Sequence, residues 1–430
     1  MEKIMIRIEK IWRDILKKSG KNEPTFLTGR VDAYYQRTRD PKAGGHILEG
    51  RVPGSDDIRL VSNDYLSIAS HSKVRKARID ALQENENEML RSGVYRFGED
   101  SQAQFEAQAA EWLSAESALL SHSGWCANVG LVQSIATPDV PVYVDMMAHM
   151  SLWEGAKSAG ATARPFRHNT PESLEKLVKK HGQGVILVDS LYSTSGSLCP
   201  LVDMVEIAEK YGCMLVVDES HSLGVIGSSG EGMVSEMGLA DRVDFRTASL
   251  SKAFAGRGGI IIGSKRHIEY IKYESLPSIF SSGLHEHDIA GFSAALEVLQ
   301  TENFRRERLR SNSDFLRQQL DGMGYNVSPS QSQIMSVVPG PENQTIIFRD
   351  ALEQRGIFGS VFCAPATPKN RSLMRFSVSA AMTEESLSRV AEVCREVKDI
   401  VQSDRWLSTA RKSQKRPQPK FFVQEPSMAM

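Results

Sequence analysis

The stretch from Met214 to Gly263 constrains this chain more than any other. It opens M-L-V-V-D-E-S-H-S-L-G and closes D-F-R-T-A-S-L-S-K-A-F-A-G-R-G-G-I-I-I-G. A short apolar run that stops at a carboxylate reads as a buried strand of a parallel sheet, with Asp218 at its C-terminal end. That is the edge at which open α/β sheets bind their ligands. Lys252 follows the small or hydroxyl residues Ala248, Ser249 and Ser251 and precedes Gly256, Gly258 and Gly259, an unusual setting for a solvated lysine. Its amine can condense with an aldehyde, while Asp218 can keep a heteroaromatic nitrogen protonated. A lone Asp or Lys is far more often a cap or a surface charge. Here the two stand in one pattern.

A Schiff-base lysine with an Asp partner for a pyridinium is what pyridoxal 5'-phosphate chemistry requires. The order D-E-S-H-S-L-G, S-L-S-K, G-R-G-G resembles the signature of the fold-type-I pyridoxal phosphate enzymes. Within them it is similar to the α-oxoamine synthases, which condense an amino acid with an acyl-CoA. The resemblance implies an α/β, aminotransferase-like transferase with a large, mostly parallel sheet domain and a smaller C-terminal α+β domain. It also implies Lys252 as imine carrier and base, Asp218 as partner of the pyridine nitrogen, and His221 and Ser249 as cofactor contacts.

Composition narrows the alternatives. A chain of 430 residues exceeds one ordinary domain, and 41% hydrophobic with 24% charged residues is the balance of a soluble globular protein. A net charge of −1 gives no reason to expect nucleic acid as a partner. The five cysteines are scattered without a C-x-x-C pair, which argues against a disulfide framework or a zinc site and fits a reducing cytoplasm. No apolar run approaches the ~20 residues that cross a bilayer, and the N-terminus lacks a signal-peptide core.

Taken in order, residues 1–20 carry Ile4, Ile8, Ile11, Trp12, Ile15 and Leu16 on one helical stripe. From Gly20 to Asp57 the sequence reads as an irregular arm, with a strand over Ile58–Ser62. The expected divisions are an N-terminal helix and arm (1–62), a large cofactor-binding domain (63–290), a small C-terminal domain (291–402) and a basic, disordered tail (403–430). S-N-D-Y-L at 62–66 resembles the entry motif of the α-oxoamine synthases, which implies that Asn63 orients a substrate carboxylate. Where that family has a histidine after a glycine-rich turn, Gln102 stands here. S-H-S-G-W-C-A-N-V-G reads as strand, turn and helix, and free N–H groups at such a helix start suit a phosphate dianion. By resemblance Ser123, Gly124 and Trp125 form the phosphate cup, with Asn128 a cap or structural residue of the same helix. D-M-M-A-H-M-S implies that His149 lies on the pyridine ring and acts in catalysis. V-I-L-V-D-S-L-Y-S gives a strand ending at Asp189, with Ser193 a further cofactor contact. I-F-S-S-G-L implies that Ser281 reaches the phosphate of a partner subunit.

Past these motifs, His287 to Met323 reads as one long helical run. L-M-R-F-S-V-S-A places Arg375 inside a strand pattern, and the resemblance makes it the ligand of the substrate's α-carboxylate, a task for which a planar guanidinium is suited. H-M-S-L-W-E-G and F-G-S-V-F-C most resemble one subgroup, the α-hydroxyketone quorum-sensing autoinducer synthases. That subgroup implies a cytoplasmic homodimer with shared active sites, joining a fatty acyl-CoA to S-adenosylmethionine or 2-aminobutyrate with loss of carbon dioxide. No metal is expected. The alternatives are a metabolic α-oxoamine synthase such as 8-amino-7-oxononanoate synthase, a transcriptional regulator built on the same fold, and a catalytically inactive interaction protein. The regulator would need a helix-turn-helix module that the roughly 60 residues before Asn63 are too few to hold. The inactive protein is disfavoured by the presence of Lys252, Asp218, His149 and Arg375 together.

Overall fold

A computed structural model describes residues 24–38, 46–84, 90–364, 366–403 and 406. The chain divides into two units, Met1–Val52 and Pro53–Met430. In the first, a helix spans Thr25–Thr38 where the sequence suggests an irregular arm. Pro24 starts that helix: its carbonyl accepts from Leu27 and Thr28, and a proline at a helix start loses no bond. The apolar stripe of residues 1–20 lies outside the described residues.

The second unit contains two sheets. Strand β1 (Ile58–Leu60) is followed by seven strands of one sheet. These are β2 (Ser117–Ser121), β3 (Val142–Asp145), β4 (Ala163–Phe166), β5 (Val185–Asp189), β6 (Met214–Asp218), β7 (Phe245–Ser249) and β8 (Gly259–Gly263). Their order is β2-β8-β7-β6-β5-β3-β4, and only β8 runs against its neighbours. The apolar runs of the central strands feed two cores. Tyr143, Ile186, Val188, Leu215 and Val217 pack on one side, and Val142, Val144, Val185, Leu187 and Val216 on the other. Period-two alternation between two apolar faces is why these strands lack polar positions.

Strands β9 (Ile334–Gly340), β10 (Ile357–Phe362) and β11 (Ser372–Ser377) form the second sheet in the order β1-β10-β11-β9. β1 joins it by parallel pairing to β10, so a strand assigned to the N-terminal arm belongs to the C-terminal sheet. The expected single helix over 287–323 is two, Glu286–Thr301 and Phe304–Gly322. Arg306 explains the break: its Nη1 donates to the Leu299 carbonyl at 2.6 Å, satisfying an orphan acceptor at the first helix's end. Ser403 and Trp406, assigned to the basic tail, are buried, and Trp406 packs edge-on against Phe348 at 5.3 Å. No described helix is long and apolar enough to cross a membrane.

Candidate active site

Five strands of the large sheet, β2, β3, β5, β6 and β7, deliver their C-terminal ends to one edge, and nearly every residue singled out above follows one of them. Asp218 ends β6 and is 4% exposed. Its Oδ1 accepts from Ser220 N at 2.8 Å and its Oδ2 from Asn128 Nδ2 at 2.7 Å. A buried carboxylate needs such donors, because desolvation without them costs several kcal/mol or more. Asn128 is no helix cap. It lies one turn inside the helix Gly124–Ile135, where its amide also donates to Ser151 Oγ (2.8 Å) and accepts from Thr247 Oγ1 (2.5 Å).

Ser151 passes this network to His149. Its Oγ lies 2.7 Å from His149 Nδ1, and its N–H also points there at 3.4 Å. Because Ser151 Oγ accepts from Asn128, its own hydrogen is available to Nδ1, leaving the imidazole hydrogen on Nε2. The His149 N–H donates to Asp189 Oδ1 at 3.1 Å, and the Trp125 ring meets the imidazole edge-on at 6.1 Å. Asp189 stands in register beside Asp218 on the adjacent strand. Burial, then the nearby Asp218 charge, pushes its carboxyl well above the usual range. Of the two neighbouring carboxyls, Asp218 accepts from two donors and Asp189 is held toward neutrality.

The loop after β2 sits against the end of β7. A Cβ on Gly124 would lie 2.6 Å from Ser249 Cβ, and one on Gly259 would collide with the Ser123 carbonyl. Ser123 Oγ caps the helix by accepting from Cys126 N at 3.1 Å, and the first intrahelical bond is Ala127 N to Ser123 O. The N–H groups of Gly124 and Trp125 precede that bond and face outward at the positive end of the helix. Ser249 donates its N–H to Ser220 Oγ at 2.8 Å, and its hydroxyl pairs with Ser251 Oγ at 2.7 Å.

Lys252 follows β7, with its amine pushed below the usual lysine range by burial first and by the Arg375 charge second. Arg375 itself is 7% exposed on β11. It donates from Nη1 to the Ser193 carbonyl (3.2 Å) and from Nη2 to Asn63 Oδ1 (3.3 Å), and it lies over the Phe362 ring at 5.0 Å. Its Nε is buried without a hydrogen-bond partner among the described residues. Ser193 therefore meets this cluster through its backbone, on the Arg375 side. His221, 7% exposed, lies within the field of Lys252, Arg375 and His149 and bonds through Nδ1 to Tyr65 OH at 2.7 Å.

Two residues stand apart. Gln102 is buried and donates to Glu106 Oε1 at 2.8 Å; that carboxylate also accepts from Leu120 N, bracing the edge of β2. Burial raises the Glu106 carboxyl to about 7. Ser281 is exposed just past the short helix Leu276–Phe280, and no hydrogen bond among the described residues joins it to the cluster. The sequence reading missed Tyr65, Ser151, Gln333 and the linking role of Asn128. Asn128 carried one available signal, since it lies one helical turn after Gly124 on the side that faces the strand ends.

The match of residues 55–393 to the model of the aminotransferase class I and II family, together with the relatives below, shows that this chain belongs to that pyridoxal phosphate-dependent family and, within it, to the α-oxoamine synthases. It is 41% identical over 381 residues to the CAI-1 autoinducer synthase of Vibrio campbellii, covering 88% of this chain and 97% of that one. It is 32% identical to the 8-amino-7-oxononanoate synthase of Alkaliphilus oremlandii, covering 88% and 98% respectively. A solved SPT with PLP superimposes with a TM-score of 0.81 at 25% identity, covering 89% of this chain and all of that one.

The donor set fits that cofactor on this structure's own terms. The close approach at Gly124 and Gly259 opens backbone N–H groups at a helix start, the chemistry an anion needs. Asp218 offers a carboxylate beside a lysine whose amine is easily uncharged.

Proposed function

We propose that this chain is an acyl-CoA:amino acid C-acyltransferase making an α-aminoketone or enaminone precursor of an α-hydroxyketone signal. The amino substrate is S-adenosylmethionine or 2-aminobutyrate, and the acyl donor is a fatty acyl-CoA. The observation that carries this reading is the Arg375–Asn63 pair beside Lys252: a carboxylate receptor next to a lysine with a depressed pKa. The 41% identity to the CAI-1 autoinducer synthase supports the choice of product class.

Pyridoxal phosphate supplies, when bound, the electron-accepting ring that makes a substrate Cα–H acidic. Ser123, Gly124 and Trp125 would hold its phosphate, with Ser249, and with Ser281 from the second subunit of a homodimer. Asp218 would pair with its ring nitrogen, His221 with its ring oxygen, and His149 would lie on its face. Arg375 and Asn63 bind and orient the substrate carboxylate. Lys252 Nζ, uncharged, removes the Cα proton. Cα then bonds to the acyl carbonyl carbon, the C–S bond breaks to release CoA as its thiol with the proton that Lys252 removed, and the Cα–carboxylate bond breaks to release carbon dioxide, its electron pair taking up a proton from solvent at Cα. His149 Nε2–H is placed to donate to the oxyanion that forms on the acyl carbonyl, a role worth ~2.7–4 kcal/mol where such donors have been removed.

A second reading, an 8-amino-7-oxononanoate synthase, is favoured by the 32% identity to that enzyme. The test supplies an amino substrate with a medium-chain acyl-CoA and follows CoA and carbon dioxide, expected in equal amounts. A 2-oxo acid then replaces the thioester. Amino-group exchange without CoA release from any thioester would make this an aminotransferase. Mass spectrometry of lipophilic products from expressing cells separates the signal precursor from 8-amino-7-oxononanoate.

A further inference from the structure

We infer that Tyr65 is a positioning residue that fixes His221 in the tautomer carrying its hydrogen on Nε2. Three residues from distant parts of the chain make this arrangement, and none of its polarity is arbitrary. The Gln333 amide is oriented by its own contact: Nε2 donates to the His221 carbonyl at 3.0 Å, and a carbonyl can only accept. The Tyr65 phenol is wholly buried. A buried phenol hydrogen needs an accepting partner, since an unsatisfied buried donor is costly. That partner is His221 Nδ1, 2.7 Å away. Nδ1 therefore accepts, and the single hydrogen of a neutral imidazole must sit on Nε2.

Two further observations keep the arrangement from relaxing. Tyr65 is wholly buried, and burial holds its phenol far above the usual range, so it remains a donor at any working pH. His221 is pushed well below its usual range by burial and by the charges of Lys252, Arg375 and His149, so it does not take a second proton. Its Nε2 makes no hydrogen bond to any described residue, which leaves a donor for a bound molecule. On the reading proposed above, that molecule's acceptor is the ring oxygen of pyridoxal phosphate. The tautomer itself rests on this chain alone.

The test is nitrogen-15 spectroscopy of the histidine rings in the cofactor-free protein, with the His221 signals assigned by their loss in His221→Asn. The expected wild-type pattern is a non-protonated Nδ1 and a protonated Nε2. Tyr65→Phe should turn this into a mixture of tautomers and raise the dissociation constant for added pyridoxal phosphate about twofold to tenfold, the loss of one neutral hydrogen bond. A structural role alone would leave the tautomer unchanged. If Tyr65→Phe does not fold, Tyr65→Met is read the same way, because it too removes the hydroxyl that donates to Nδ1. A wild-type hydrogen on Nδ1, or no change in whichever variant folds, overturns the inference. A wild-type protein with the expected ring pattern that takes up no pyridoxal phosphate would instead sink the cofactor reading and leave this one standing.

Discussion

The two sides of the candidate site are built differently. On the large-sheet side, Asp218, Asn128, Ser151 and His149 form a closed chain of hydrogen bonds in which each buried polar group finds a partner. On the small-sheet side, among the described residues, Arg375 makes two long bonds and leaves its Nε without one. Buried networks that are fully satisfied are rigid, whereas an unsatisfied buried donor holds free energy available to a ligand. On the proposed function the difference means that one side is made to keep what it binds and the other to exchange it. A resident cofactor and a transient carboxylate substrate ask for this division.

The sharpest way to break the comparison is Lys252→Ala. It should lower turnover by at least about four orders of magnitude, the scale seen when a member of a concerted catalytic set is removed. Borohydride treatment of the wild type should leave the mass of the cofactor on the Lys252 peptide. A label on another lysine would move the site. Next comes the exchanging side. Arg375→Leu should raise KM for the amino substrate ~100-fold through lost charge-assisted bonds, while cofactor affinity stays near wild type. Because the Arg375 charge depresses the Lys252 amine, the pH midpoint for cofactor capture should move upward in this variant. Equal damage to cofactor and substrate binding would erase the proposed division.

Asn128→Ala probes the keeping side, with a smaller effect of roughly tenfold in cofactor affinity as Asp218 loses one of its two donors. The smallest effect is expected for Asp189→Asn. Its carboxyl has a raised pKa in the fold, so protonation stabilises the native state at low pH and that contribution fades as pH rises past the unfolded value. An amide mimics the protonated carboxyl, so the variant should keep cofactor affinity within about threefold and lose less stability than wild type between pH 5 and pH 8. Denaturant melts at the two pH values read this directly, and a greater loss than wild type would mean that Asp189 is ionised.

Much of the keeping side was legible in sequence because its residues end strands. An apolar run that stops at Asp218, or a turn with Ser123 and Gly124, carries its location in its neighbours. Tyr65 and Asn128 were not legible because their partners lie 156 and 90 residues away, and no local pattern encodes a contact that distant. The helix Thr25–Thr38 was missed for a different reason. Nearly all of its residues are exposed, so it lacks the apolar period by which helices are recognised in sequence. Gln102 was found by motif but not placed. Its bond to Glu106 shows that it serves the edge of β2 and not the Lys252 cluster.

The parallel pairing of β1 with β10 has a consequence for how the molecule is made. Ile58 leaves the ribosome long before its partner Ile357 exists. At ~5–20 residues per second, β1 waits about 15–60 s for a strand to pair with. An unpaired strand is a template for the wrong neighbour. Three residues, with the charge of Arg59 at the centre and exposed, make a poor template. Its brevity protects the nascent chain during that interval, and the Asn63–Arg375 pair is among the last features of the enzyme to come into being.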